Sequence, residues 1–135
     1  MFEQDYLMRL LMQFMEAMRR SIERADDGRD PAAAADMLET AIGDATDLDG
    51  SMLLSLAPES MASLLQVSGV DPHVTEYVAN SLELEAEFLR SAGNEALAEV
   101  RAGQARAVAT AYGFEVASCS PSERLEHLKE AQDSL

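Results

Sequence analysis

The segment PHVTEYVANSLELEAEFLRSAGNEALAEVRAGQARAVATAYG, residues 72–113, decides the fold class. Apolar residues recur in each half at spacings of three and four, the repeat of one face of an α-helix. They are Val78, Leu82, Ala86 and Leu89 in the first half, and Ala98, Ala102, Ala105 and Ala109 in the second. Gly93 separates the two halves. We expect an antiparallel helical hairpin whose small residues let the two backbones approach closely.

The rest of the chain is punctuated like a helical protein. Four prolines stand where a first helical turn tolerates a missing N–H, and Gly28, Gly69, Gly93 and Gly113 follow apolar stretches, where helices often end. Asp49, Asn94 and the pair Ser120 and Glu123 have the spacing of helix caps. No stretch alternates as a strand. We predict an all-α fold of seven helices, over residues 3–26, 31–45, 50–56, 58–68, 72–92, 95–112 and 121–132.

The 72–113 hairpin resembles one tetratricopeptide-type repeat. The matching positions, which are small or apolar in that repeat, are Ala86, Leu89, Gly93, Ala98, Ala102 and Ala105. The chain departs from the pattern at Glu85, where a large apolar residue is expected, and at Ala102, which replaces the usual aromatic residue. No second copy follows at a period of about 34 residues. The resemblance implies tetratricopeptide-like helical packing around the hairpin.

A second resemblance begins at the N-terminus. The opening MFEQDYLMRLL, the later LLSLAPESMASLL and the helix start at Asp71-Pro72 are similar to a family of small bacterial all-helical proteins known as a domain of unknown function. This member has Ala57 before Pro58, where a capping serine is expected. The resemblance implies a helical fold and a bacterial origin, and it implies no activity.

Length and charge exclude several classes of protein. A chain of 135 residues forms one domain, 1–135, with room for a single hydrophobic core. Its net charge of −15 argues against binding to nucleic acids or to anionic membranes. One cysteine, Cys119, favours a reducing compartment, and neither a signal peptide nor a membrane span is indicated, so we expect a cytoplasmic protein.

The first predicted helix has an unusually wide apolar face. At 100° per residue its apolar residues cover about two thirds of the circumference, more than packing on one side requires. Leu7, Leu11, Phe14 and Met18 form the centre of this arc and should face the core. The narrow polar stripe contains two pairs of opposite charges four residues apart, Asp5 with Arg9 and Glu16 with Arg20.

Two arrangements would cover so wide an arc. The helix could lie in the middle of its own domain, or one edge could be covered by another chain. Met8, Met12 and Met15 form that edge, and flexible thioethers suit adaptable interfaces as well as irregular cores. We therefore name these three methionines as a candidate face for a partner or for self-association as a two-fold dimer.

The negative charge is concentrated in residues 30–89, which contain twelve acidic residues and no lysine or arginine. The flanking parts of the chain nearly balance. Such a segment could attract a basic partner, or it could be a solvated face that only keeps the protein soluble.

The candidate metal and catalytic sites each lack a required group. Asp47, Asp49 and Gly50 match positions three, five and six of a calcium loop, but Ala45 and Leu56 stand where its first and last carboxylates belong. A helix cap explains Asp49 better. Neither histidine has the Glu-x-x-His spacing of a di-iron bundle.

The remaining candidates are weaker. Glu123 and His127 lie four residues apart, Cys119 has no orienting partner, and a stripe of three carboxylates is typical of a solvated helix face; its members are Glu76, Glu83 and Glu87. We expect neither a metal nor a cofactor.

These patterns favour a non-enzymatic helical module that binds a protein partner, which would be basic if it binds the acidic segment, or a second copy. We expect no nucleic acid and no membrane as partner. The alternative is an enzyme or a small-ligand-binding protein whose site is assembled from scattered residues such as Glu83, Glu87, His73 or Tyr77.

Overall fold

The computed structural model describes the backbone of residues 2–135 and the side chains of residues 4–135. Every regular element in that range is an α-helix, so the predicted all-α class is confirmed. The helices are α1 (Phe2–Asp26), α2 (Pro31–Thr46), α3 (Gly50–Leu54), α4 (Pro58–Val67), α5 (Pro72–Ser91), α6 (Glu95–Tyr112) and α7 (Pro121–Asp133). Met1 and the side chains of Phe2 and Glu3, which open the N-terminal motif, lie outside the described residues.

The predicted caps are confirmed at the atomic level. The Asp49 carboxylate accepts hydrogen bonds from the backbone N–H groups of Ser51 and Met52, and the Asn94 side chain accepts one from Leu97. These bonds satisfy donors that have no partner inside the first helical turn. At α7, Ser120 and Glu123 form a reciprocal capping box, and at α2, α4, α5 and α7 a proline is the first helical residue.

The predicted helix ends hold at all four glycines. Gly69, Gly93 and Gly113 have a positive φ, the left-handed conformation that a helix end requires and that glycine adopts without strain. Gly28 also follows the end of a helix, since α1 ends at Asp26, but the left-handed conformation there belongs to the neighbouring Arg29, with φ of 51°.

The central element of the fold is α5. Twelve of its twenty residues are buried, and it packs against α6, α2, α1 and α7. The turn at Gly93 returns the chain as α6, and the hydrogen bond from Arg101 to Glu85, which lie eight residues on either side of Gly93, shows that the two helices are antiparallel. Four alanines of α6 that were predicted to be inside the fold are fully or almost fully buried; they are Ala98, Ala102, Ala105 and Ala109.

The C-terminal helix is held by polar contacts to α5. Arg124 of α7 is almost completely buried and donates a hydrogen bond from Nη1 to Oδ1 of Asn80 at 2.9 Å. The Tyr77 hydroxyl donates to the backbone carbonyl of Leu128 at 3.2 Å. Burial of this hydroxyl raises the pKa of Tyr77 to about 12.

The first helix crosses α2, α5 and α7 and buries one side against them. Leu11, Phe14 and Met18 are buried in the core, and Leu7 packs partly buried against it, so the predicted inner face is confirmed. The opposite side of α1 has no neighbour among the described residues.

Candidate interaction surface and buried ionic cluster

The outer side of α1 is an open surface that no second element of the described residues walls in. Met12 lies on this surface with 55% of its own area exposed, which is a large exposure for an apolar side chain of this size. We call this surface the α1 groove. Every residue that lines it belongs to α1, and these residues are Asp5, Met8, Arg9, Met12, Gln13, Glu16, Ala17 and Arg20.

The structure divides the three methionines of the predicted edge. Met12 is exposed and Met8 is half-buried, and both line the α1 groove. Met15 instead packs, half-buried, against the hydrophobic core. The candidate face therefore consists of Met8 and Met12, and it extends toward Ala17 rather than toward Met15.

Charges of both signs border the α1 groove in equal number. Of the two predicted pairs, the structure contains Glu16 with Arg20, at 3.3 Å. Arg19 also binds Glu16, at 2.6 Å, and its hydrogen bond lowers the pKa of the Glu16 carboxyl. Asp5 and Arg9 form no ion pair with each other or with another described residue, and both line the groove, where a partner can reach them.

A second polar feature lies inside the protein, where three helices meet. Arg101 of α6 donates from Nε to Oε2 of Glu85 on α5 at 2.7 Å, and from Nη2 to Oε2 of Glu39 on α2 at 3.3 Å. Its Nη1 donates to the backbone carbonyl of Leu54 at 2.9 Å and to the Gln104 side chain at 3.1 Å. We call Glu39, Glu85, Arg101 and Gln104 the ionic cluster.

The two carboxyl groups of the ionic cluster differ in burial. Glu85 is fully buried, whereas Glu39 keeps 30% of its side chain exposed. Burial raises the pKa of Glu85 to about 9, and a hydrogen bond with Glu39 and the negative charge of Glu39 act in the same direction, whereas Arg101 opposes the shift. Glu85 is therefore protonated at neutral pH, and one arginine balances the one remaining carboxylate.

The ionic cluster is not among the sites predicted from the sequence, although Glu85 departs from the repeat pattern. The sequence signal for it is a charged residue on each helix of the hairpin, at a position where the helical repeat calls for an apolar residue. Glu85 lies three residues after Leu82, and Arg101 lies three after Ala98. Opposite charges on the inner faces of two packed helices predict a buried pair.

The residues of the alternative enzymatic or ligand-binding function are spread along α5, although Glu83 and Glu87 lie about one helical turn apart. His73 is exposed and contacts Asp71, with 2.9 Å between Nδ1 and Oδ1. The Tyr77 hydroxyl points to α7, and Glu87 faces Arg124 at 3.6 Å. His73 and Glu87 lie fourteen residues apart on one helix, which corresponds to about 21 Å along its axis.

Two of the candidate metal-binding residues have structural roles. Asp49 and Glu123 cap helices, and the hydrogen bonds of the caps lower the pKa of both carboxyls. Cys119 is half-buried between α6 and α7, and His127 is exposed. Within residues 4–135, no three histidine, cysteine, aspartate or glutamate side chains are grouped in a way that could hold a metal ion.

The acidic segment 30–89 is mostly solvated. Half of its twelve acidic side chains are exposed, and Glu85 is the one that is fully buried. Binding of a basic partner by this segment stays a prediction. None of the described helices combines the length and the apolar character that crossing a bilayer requires.

Comparison of the chain with models of protein families, with curated proteins and with solved structures finds no match in any of the three. The resemblances at the N-terminus and in the α5–α6 hairpin therefore stay predictions.

Proposed function

We propose that this chain is a non-enzymatic helical module that binds another protein through the α1 groove, and that the bound element is an α-helix. The exposure of Met12, which lies with Met8 along one side of a charged stripe, supports this proposal most directly. A partner helix can pack against such apolar side chains beside a charged stripe, and the charges set its direction. Asp5 and Arg9 require a partner helix with an opposite charge facing each of them.

Two further expectations belong to the same proposal. Tetratricopeptide-like packing of the α5–α6 hairpin is supported by the burial of the alanines along α6, and Glu85 sets the hairpin apart from that repeat. A cytoplasmic location is supported by the single cysteine of the sequence.

The proposal requires that Met12 be dispensable for folding. We expect Met12→Glu to change the free energy of unfolding by no more than about 0.5 kcal/mol, because the new carboxylate stays in water. Met18→Ala, made at a fully buried methionine of the same helix, should cost at least about 2 kcal/mol. Urea denaturation followed by circular dichroism measures both. An equal loss for both variants would show that the methionine edge serves the core.

A photoreactive amino acid at position 12 tests the binding function in the cells that make the protein. We expect one discrete crosslinked species, which disappears when Arg9→Glu is added, because that change removes a charge contact of the groove. The control position is Val100, an exposed apolar residue of α6. The proposal fails if position 12 crosslinks to nothing, or if its product resembles that of position 100 and ignores Arg9→Glu.

A further inference from the structure

The residues that line the α1 groove are symmetric about the midpoint between Met12 and Gln13. Each of these residues has a counterpart the same number of residues away from the midpoint on its other side. The counterpart also lines the α1 groove. The pairs are Asp5 with Arg20, Met8 with Ala17, Arg9 with Glu16, and Met12 with Gln13. Both charged pairs match an acid with an arginine.

This symmetry is what an antiparallel pair of identical helices requires. When a two-fold axis passes beside a helix midpoint, residues that are equidistant from that point and lie on the same side of the helix come opposite each other across the interface. The two charged pairs meet this condition, whereas Met8 and Ala17 lie on opposite flanks of α1. Asp5 then faces Arg20 of a second copy, and Arg9 faces Glu16, which gives four interchain ion pairs. A parallel pair would instead place each of these charges opposite itself, and like charges repel.

The four charged side chains also lie on one side of α1. At 3.6 residues per turn, Arg9 and Glu16 lie about 20° apart around α1, and Asp5 and Arg20 lie about 60° apart. The four form one stripe about 22 Å long. Met12 flanks this stripe on one side and Gln13 on the other, so the two copies of Met12 meet at the axis and exclude water there.

We propose that the α1 groove binds α1 of a second copy of this chain, antiparallel, with the two-fold axis at the Met12–Gln13 midpoint. This inference rests on the proposed function and names the partner. Charge supports it a second time, because the α1 groove has equal numbers of acids and arginines in a chain of net charge −15. Two copies therefore meet through a face that carries no net charge.

The dimer should be weak and reversible. Standard protein interfaces bury about 800 Å² on each partner, and a face built from one helix is smaller. We expect a dissociation constant in the micromolar range, roughly 10–500 µM. Exposed ion pairs supply much of the orientation, so added salt should weaken the dimer.

Sedimentation equilibrium with charge variants tests the pairing. Arg9→Glu and Glu16→Arg should each raise the Kd at least about tenfold, because each places like charges across the axis twice. Mixing the two variants in equal amounts should restore association, since positions 9 and 16 are then both acidic in one chain and both basic in the other. Arg106→Glu, the same charge change at an exposed site on α6, should leave the Kd unchanged. Circular dichroism checks that every variant stays helical.

Disulfide formation tests the direction of the two helices. In a Cys119→Ser background, a mixture of Arg9→Cys and Glu16→Cys chains should form the mixed disulfide faster than either chain pairs with itself. In an antiparallel pair, two copies of position 9 lie about 10 Å apart along the axis. Faster pairing of position 9 with itself would overturn the antiparallel arrangement.

The outcomes separate this inference from the function on which it rests. A wild type that stays monomeric up to about 1 mM overturns self-association. If position 12 still crosslinks in cells to a different protein, in a way that depends on Arg9, the module keeps its proposed function with another helix as partner. If position 12 also gives no product, both proposals fail.

Discussion

Replacing Arg101 by methionine is expected to lower the free energy of unfolding by about 2–4 kcal/mol at neutral pH, because it leaves several buried polar groups without a hydrogen-bond donor. Methionine fills much of the same volume, so the loss comes from polar groups left without partners rather than from a cavity. Oε2 of Glu85 loses its donor at 2.7 Å, and Oε1 of Gln104 loses its donor at 3.1 Å. Urea denaturation at pH 7 measures the effect.

Two matched variants show whether the loss is electrostatic. Arg106→Met changes an exposed arginine of the same helix and should cost no more than about 0.5 kcal/mol. Adding Glu85→Leu to Arg101→Met removes the orphaned carboxyl as well, and the double variant should recover a large part of the stability. A loss below about 1 kcal/mol for Arg101→Met, or a double variant as unstable as the sum of its parts, would contradict the assignment.

The second large effect is a dependence of stability on pH that Glu85→Gln abolishes. The pKa of Glu85 is raised from 4.5 to about 9 in the folded protein. Between these values the folded state holds a proton that the unfolded state has released, so this group's stabilisation is complete below about pH 4.5 and is lost as the pH rises to about 9. Each pH unit in that window costs up to about 1.4 kcal/mol.

Glutamine suits this position because it resembles a protonated carboxyl. Its Oε1 can accept the hydrogen bond of Arg101, and its amide can donate to Glu39. Near pH 5 we expect the variant and the wild type to be similarly stable, and the variant should gain on the wild type as the pH rises. Urea denaturation of both proteins across this range isolates Glu85 from other groups, and Glu59→Gln, at an exposed carboxylate, is the control. Parallel stability curves for wild type and Glu85→Gln would show that Glu85 titrates normally.

The helices could be predicted from the sequence because their signals are local. Proline, the caps at Asp49, Asn94 and Ser120, and the apolar spacing of α5 and α6 each act within one or two turns, and the structure bears them out. Gly28 shows the limit of such signals. A glycine close to a helix end marks the region, but the residue that adopts the left-handed conformation is its neighbour Arg29.

The sites were harder to predict because they depend on which helices become neighbours. Periodicity gave the width of the apolar arc of α1, but only the packing of α2, α5 and α7 decides that Met15 is covered while Met12 is not. The ionic cluster depends even more on tertiary structure. Glu39 lies 62 residues before Arg101 in the chain. No local sequence pattern predicts which residues so far apart become neighbours.

The hydrogen bonds of Arg101 and Gln104 also bear on the order of folding. The α5–α6 hairpin closes over a short loop, whereas Gln104 binds the backbone carbonyls of Leu54 and Leu56 about fifty positions away in the chain. Closing a short loop costs less chain entropy than closing a long one, so the hairpin should form early, with Arg101 still hydrated. Docking of the α3–α4 connection and of α2 then removes that water, which makes dehydration of a single guanidinium a late step in folding.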